Sequence, residues 1–220
     1  LMKCLFGIYH EDGGEIILDG KKEVINTSKQ ALALGVSMIH QELHPEPHLS
    51  VMENIWLGRF PIKGIVVDYK KMYNDTRDLL ERLNLHLDPK ALVKTLSVSQ
   101  IQSIEIAKAV SFNAKVIIMD EPTGALNNQE VDVLYALIRR LKESGKTILY
   151  ISHRLKEIFD LTDRVSILRD GQYVATKRTE ELTHNDLVKL MVGREVDQYY
   201  KSSGHALGET VLEVKNLTRA

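Results

Sequence analysis

The sequence predicts an α/β protein: a parallel β-sheet core with a helical subdomain inserted into it. Two observations carry that expectation. Short, continuously apolar runs, "VIIMD" and "TILYIS", flank an amphipathic stretch, "NQEVDVLYALIRRLKESG". That is the pattern of buried parallel strands joined by a helix. Between about residues 50 and 113, strand signals give way to helical ones. The 220 residues suffice for one substantial core or one and a half smaller ones.

Taken in order, "LMKCLFGIY" reads as a short helix stopping near Gly7, with no Ser, Thr or Asp ahead of it to cap it. The chain is therefore expected to be a piece whose beginning lies upstream. "GGEIILDGKKEV" is a hairpin turning at Asp19-Gly20, and "SKQALALG" is a helix closed by Gly35. "VSMIHQEL" is a buried strand ending near Gln41. After the polar "HPEPHLS" come three helical stretches: "SVMENIWLGR", "DYKKMYNDTRDLLERLNL" and "SVSQIQSIEIAKAVSFN". In the second, Met72, Leu79, Leu80 and Leu83 share one face. Strand and helix then alternate: "KVIIMD", the helix stopping at Gly145, "KTILYIS", and the helix "HRLKEIFDLT". "DRVSILRDGQYVAT" is a hairpin around Asp170-Gly171, and "THNDLVKLMVG" a last helix. "DQYYKSSGHALGE" reads as a linker, and "TVLEVKNLTRA" as an opening strand.

Composition narrows the classes. Hydrophobic residues make up 44% and charged residues 27% of the chain, as in ordinary globular proteins. The formal net charge of -1 leaves no electrostatic footprint for nucleic acid or an anionic membrane. The single cysteine, Cys4, has no internal partner, which favours a reducing compartment. No apolar run reaches the roughly 18 residues of a membrane-spanning helix.

Four features carry chemistry. Asp120 and Glu121 stand side by side where an apolar strand ends. The carboxyl edge of a parallel sheet is where ligands sit in open α/β folds. An aspartate there can hold Mg²⁺ through oxygen and water, and the next glutamate can orient or deprotonate a water. The plain alternative is a strand end with two solvated charges. His153 follows the strand "TILYIS", so neighbouring parallel strands would bring it to the same edge. There it could donate to a γ-phosphate; otherwise it is a loop histidine, as His10, His40, His44, His48, His86, His184 and His205 are read to be. Gln41 likewise follows an apolar strand, and its amide oxygen could reach Mg²⁺ or a water. Finally, Ser97 or Ser99 opens a helix whose first amides lack partners, an end that suits a phosphate or is simply capped.

In that order, "MIHQEL", "LSVSQIQSIEIAKA", "VIIMDEPTGALN" and "YISHRLKEI" resemble the Q-loop, signature, Walker B with D-loop, and switch histidine of an ATP-binding-cassette (ABC) ATPase. The resemblance covers nearly the whole chain. "HLSVMENIWLGRFPIKGIVVD" and "LRDGQYVAT" are similar to the monosaccharide-import branch. The "LSVSQ" signature, "KCLFGIY" and "MVGRE" are most similar to its galactose and methyl-galactoside importers.

The resemblance implies a P-loop NTPase core and an ATP-hydrolysing subunit at the cytoplasmic face of a cell membrane, a peripheral translocase driving uptake of galactose or a methyl-galactoside. Ribose, xylose or a non-transport ABC ATPase are the alternatives. Its cofactors would be ATP and Mg²⁺. Its partners would be integral membrane permease subunits, indirectly a periplasmic sugar-binding protein, and a second cassette in the same chain or in a second copy; nucleic acid is not among them.

Residue by residue, Asp120 and Gln41 would serve Mg²⁺, Glu121 would be the general base and His153 the γ-phosphate contact. Ser97, Val98, Ser99 and Gln100 would complete the partner's ATP site, and Gly124, Ala125, Leu126 and Asn127 would form the D-loop. The implied organisation is the remainder of a first core over 1–43, the helical subdomain over 44–113, and core again over 114–175. A C-terminal extension and linker would span 176–208, and a second cassette would open at 209–220.

Three departures stand out. Val98 and Ser99 replace the two glycines of the usual Leu-Ser-Gly-Gly-Gln signature, which let backbone approach phosphate closely. Gly124 and Asn127 stand where Ser and Asp are usual in the D-loop. No Gly-x-x-x-x-Gly-Lys-Ser/Thr phosphate loop (Walker A) occurs in the 220 residues. These residues alone are therefore expected to bind ATP poorly and not to turn it over.

Overall fold

The computed structural model describes residues 1–40, 45–193, 213 and 215. In chain order the elements are α1 (Met2–Leu5), β1 (Ile16–Leu18), β2 (Lys21–Glu23), α2 (Ser28–Ala33), β3 (Val36–Ile39), α3 (Val51–Trp56), β4 (Ile62–Lys63) and β5 (Val66–Val67). There follow α4 (Tyr69–Leu83), α5 (Val98–Ser111), β6 (Val116–Asp120), α6 (Asn128–Glu143), β7 (Thr147–Ile151), α7 (Leu155–Leu161), β8 (Arg164–Arg169), β9 (Gln172–Arg178) and α8 (His184–Val192). The chain divides into two compact units, Leu1–Thr162 and Asp163–Ala220.

The first unit is organised by a parallel sheet of order β3-β6-β7. The register aligns Ile39 with Met119 and Asp120 with Ile151, so the three strands end at one edge. Side chains alternate across a strand, and the central strand shows it. Ile117 and Met119 pack with the apolar faces of α4, α5 and α6, whereas Ile118 packs with Phe6, Ile25, Ala31, Val36 and Met38. Both faces of β6 are thus covered, which is why its run carries no polar alternation. The β1–β2 hairpin turns at Asp19 and Gly20, both with positive φ.

The inserted helices owe their starts to side-chain caps. Ser50 and Glu53 form a reciprocal capping box on α3, and Asp68 accepts from the Lys71 amide at the start of α4. Met72, Leu79, Leu80 and Leu83 of α4 are buried, and Asn84, in the left-handed region, ends the helix. The Trp56 indole N–H donates to buried Thr76 at 2.9 Å, tying α3 to α4. Within this helical stretch the structure adds a short antiparallel hairpin, β4–β5, that the helical periodicity did not predict. β3 also ends two residues before Gln41. Gln41 and His44 lie outside the described residues.

The second unit pairs β8 with β9 across an Asp170-Gly171 turn in which both residues have positive φ. Ile167, Leu182 and Leu187 are buried there, and Thr183 and Asp186 form a capping box on α8. His205, the linker and the expected opening strand, apart from Glu213 and Lys215, fall outside the described residues.

Candidate functional site

The carboxyl edge of the parallel sheet gathers the reactive groups. Asp120 is the last residue of β6 and is half-buried. Glu121 follows with its amide donating to the Ile151 carbonyl at 3.0 Å, which locks it to the end of β7. Its backbone adopts φ 45°, a left-handed conformation that a residue with a Cβ enters only when its surroundings hold it there. The consequence is a sharp change of direction after the strand. Two residues beyond Ile151, His153 places Nδ1 2.8 Å from Glu121 Oε1. The side chains are 70% and 31% exposed respectively, so an incoming ligand can reach both. Such an open pair adds little to stability; its interest lies in its position.

Behind this rim lies a buried polar cluster. Glu157, on the first turn of α7, is 3% exposed. Its Oε1 accepts from Thr123 Oγ1 at 2.6 Å, and its Oε2 accepts from the Tyr150 hydroxyl at 2.9 Å and from Ser152 Oγ at 2.7 Å. Arg154 Nη1 stands 3.5 Å from Oε1, and the Arg154 amide donates to Ser152 Oγ at 2.9 Å. Burial, reinforced by the Glu157 carboxylate it donates to, holds the Tyr150 hydroxyl proton far above the usual phenol range. Tyr135 of α6 is pushed up to about 12, first by burial and then by the charge of Glu157. Sequence reasoning missed this cluster. One signal was available: Glu157, Ile158 and Leu161 fall on one face of α7, so an acid sits in an apolar stripe.

The loop after Glu121 is a run of tight turns. The Gly124 amide donates to the Glu121 carbonyl at 3.3 Å and the Leu126 amide to the Thr123 carbonyl at 3.1 Å. Gly124, Ala125 and Asn127 are exposed and Leu126 is half-buried. A Cβ at Gly124 would meet nothing nearer than the Glu121 carbonyl oxygen at 3.6 Å, so a serine would fit there. Asn127 and Glu130 cap α6 reciprocally.

Ser97, Val98, Ser99 and Gln100 form the start of α5. Ser97 Oγ accepts from the Gln100 amide at 3.3 Å and Gln100 Oε1 accepts from the Ser97 amide at 3.0 Å. Val98 is 44% exposed, an apolar side chain facing outward at a helix start.

Asp120, Glu121 and His153 are thus brought to one edge of the sheet, and Ser97 to Gln100 cap α5. Residues 1–124 match the ABC transporter family. The chain belongs to that family. An ABC transporter domain accounts for the fold as well: the crystal structure of a nucleotide-free ATP-binding cassette from an ABC transporter superposes with a TM-score of 0.74 at 24% identity, covering 85% of this chain and 78% of that one.

Among ABC transporter sequences, this chain is 53% identical to the galactose/methyl galactoside import ATP-binding protein of Clostridium tetani, over 100% of its own length and 44% of that protein's. It is 51% identical to the protein of the same name from Escherichia coli K12, over 99% of its own length and 43% of that protein's. The chain therefore spans less than half the length of these relatives.

Among the described residues no group of three His, Cys, Asp or Glu is arranged as a metal-binding cluster. At the rim the Asp120 carboxylate ends β6 beside that of Glu121, and both offer hard oxygen atoms. That fits Mg²⁺, which takes most of its ligands from water and from phosphate. No helix among the described residues is long and apolar enough to cross a membrane.

Proposed function

We propose that this chain carries the hydrolytic half-site of an ATPase that powers sugar import. The observation that carries the reading is the Glu121–His153 contact at 2.8 Å, beside Asp120, at the carboxyl edge of the parallel sheet. Glu121 accepts the proton of a water attacking the γ-phosphorus. His153, whose Nδ1 faces Glu121, offers its other ring nitrogen towards the terminal phosphate and orients the base. Asp120, with Gln41, would hold Mg²⁺, which neutralises charge on the phosphate oxygens when bound. The signature turn, Ser97 to Gln100, with Ser97 and Val98 exposed, completes the ATP site of an opposing cassette, and the Gly124–Asn127 loop reaches towards it. No Gly-x-x-x-x-Gly-Lys-Ser/Thr phosphate loop occurs within these 220 residues.

The transported sugar is galactose or a methyl-galactoside. Support comes from the names of the relatives at 53% and 51% identity. The chain works as a peripheral subunit on the cytoplasmic side of permease subunits, fed by a sugar-binding protein outside. Two experiments test the reading. Glu121→Gln in the full-length protein, assembled with its permease, should lower hydrolysis by at least about 100-fold while ATP binding persists. Hydrolysis at the wild-type rate refutes the base assignment. Uptake of labelled galactose in cells should depend on the gene; dependence of ribose or xylose uptake instead overturns the sugar.

A further inference from the structure

We propose that Glu157 is a positioning residue for hydrolysis: its buried carboxylate clamps together the two segments that carry Glu121 and His153. The inference rests on the ATPase reading above and adds a residue to it. Thr123, which donates to Oε1, lies two residues beyond Glu121, with buried Pro122 between them. Ser152, which donates to Oε2, immediately precedes His153. Each side chain of the rim pair is therefore one or two residues from a bond to the same carboxylate.

The geometry is economical for a buried acid. A carboxylate is an acceptor with room for several donors, and Thr123, Tyr150 and Ser152 supply three hydroxyls while Arg154 approaches to 3.5 Å. A buried acid with fewer donors would carry a heavy desolvation cost. Ser152 extends the reach, since its oxygen also accepts from the Arg154 amide on the far side of His153. The histidine is therefore held from both flanking residues. On the other strand, the Glu121 amide is tied to Ile151, and Thr123 anchors the loop just beyond it. Cutting the clamp leaves both strands in place and frees the two loops to drift relative to one another. A merely structural glutamate would pin α7 without affecting the register of those loops.

The test uses the full-length ATPase, with its permease for kinetics and by itself for a spectroscopic readout. Glu157→Leu is expected to lower kcat about 100-fold with KM for ATP changed by no more than about 2-fold, the signature of misplaced reacting groups. Glu157→Gln, whose amide oxygen still accepts, should stay within about 5-fold of wild type. In the full-length protein, Glu157→Leu should move the imidazole ¹⁵N resonances of His153, which report its contact with Glu121. Should Glu157→Leu fail to fold, Thr123→Val and Ser152→Ala each remove one arm, and each should lower kcat about 5-fold.

Unchanged kcat in folded Glu157→Leu or in both single-arm variants, or a rise in KM alone, overturns the proposal. So do unmoved His153 resonances. Glu121→Gln run in parallel separates the two levels. If it abolishes hydrolysis while the clamp variants are fully active, only the clamp fails. If Glu121→Gln hydrolyses normally, the ATPase reading fails, and the His153 resonances alone decide whether Glu157 sets the rim geometry.

Discussion

Replacing Glu121 by glycine should make the chain more stable than replacing it by alanine, although both variants lose the carboxylate that faces His153. The perturbation isolates the backbone. Glu121 sits at φ 45°, where a Cβ costs about 1–2 kcal/mol. Glycine avoids that cost but loses more chain entropy on folding, about 0.4–1 kcal/mol. The net expectation is that Glu121→Gly exceeds Glu121→Ala by about 0.5–1 kcal/mol. Both variants remove the contact to His153, so that contribution cancels in the comparison. Equilibrium urea unfolding of the two variants, followed by circular dichroism, measures the difference through the midpoints at common slope. Alanine more stable than glycine by that margin would mean that residue 121 has an ordinary extended or helical backbone, and the sharp turn that aims its carboxylate at His153 would be wrong. The expected result is strain kept at the rim, where the proposed base turns out of the strand to face His153.

Three further outcomes follow from the same structure. Tyr135 has a proton affinity raised in the folded state to about 12, so its contribution is fully present below the unfolded value of about 10 and is lost as pH rises between the two, by about 2–3 kcal/mol; urea unfolding from neutral to alkaline pH should show this loss in wild type and less of it in Tyr135→Phe. Ile117→Ala, in the fully buried centre of β6, should cost about 2–5 kcal/mol, whereas Ile65→Ala, at the exposed hairpin tip, should change stability by no more than about 0.5 kcal/mol; chemical denaturation of the two variants checks the contrast. Isothermal titration of the 220-residue chain with Mg-ATP should give binding weaker than about 1 μM, a limit near 8 kcal/mol, because no phosphate loop lies within it; micromolar binding contradicts the dependence on that loop.

Local chemistry made much of the fold readable. Asp19-Gly20 and Asp170-Gly171 turn hairpins because both residues of each pair can hold positive φ. The four apolar positions of α4 are buried because helical spacing puts them on one side. The β4–β5 hairpin escaped because its strands are two residues each, too short for alternation to register. Its turn is Gly64-Ile65, with glycine at positive φ in the first central position, a signal that the surrounding helical pattern masked. The left-handed backbone of Glu121 was likewise invisible, since nothing in the letters Asp-Glu-Pro distinguishes it from an ordinary strand end.

The rim and its support were legible to different degrees for a physical reason. A reacting side chain in a parallel sheet has few places to stand, and the last residues of buried strands are the chief ones. The placement of Asp120, Glu121 and His153 at one edge of the sheet could therefore be expected from the apolar runs. The clamp has no such positional rule. Thr123 and Glu157 are 34 residues apart, and only the pairing of β6 with β7 and the return of α7 bring them to 2.6 Å. The cost of burying a carboxylate is what singles Glu157 out once packing is known, because a buried charge persists only where donors converge on it. Strand ends place the chemistry, and buried polar groups between them set how well it is held.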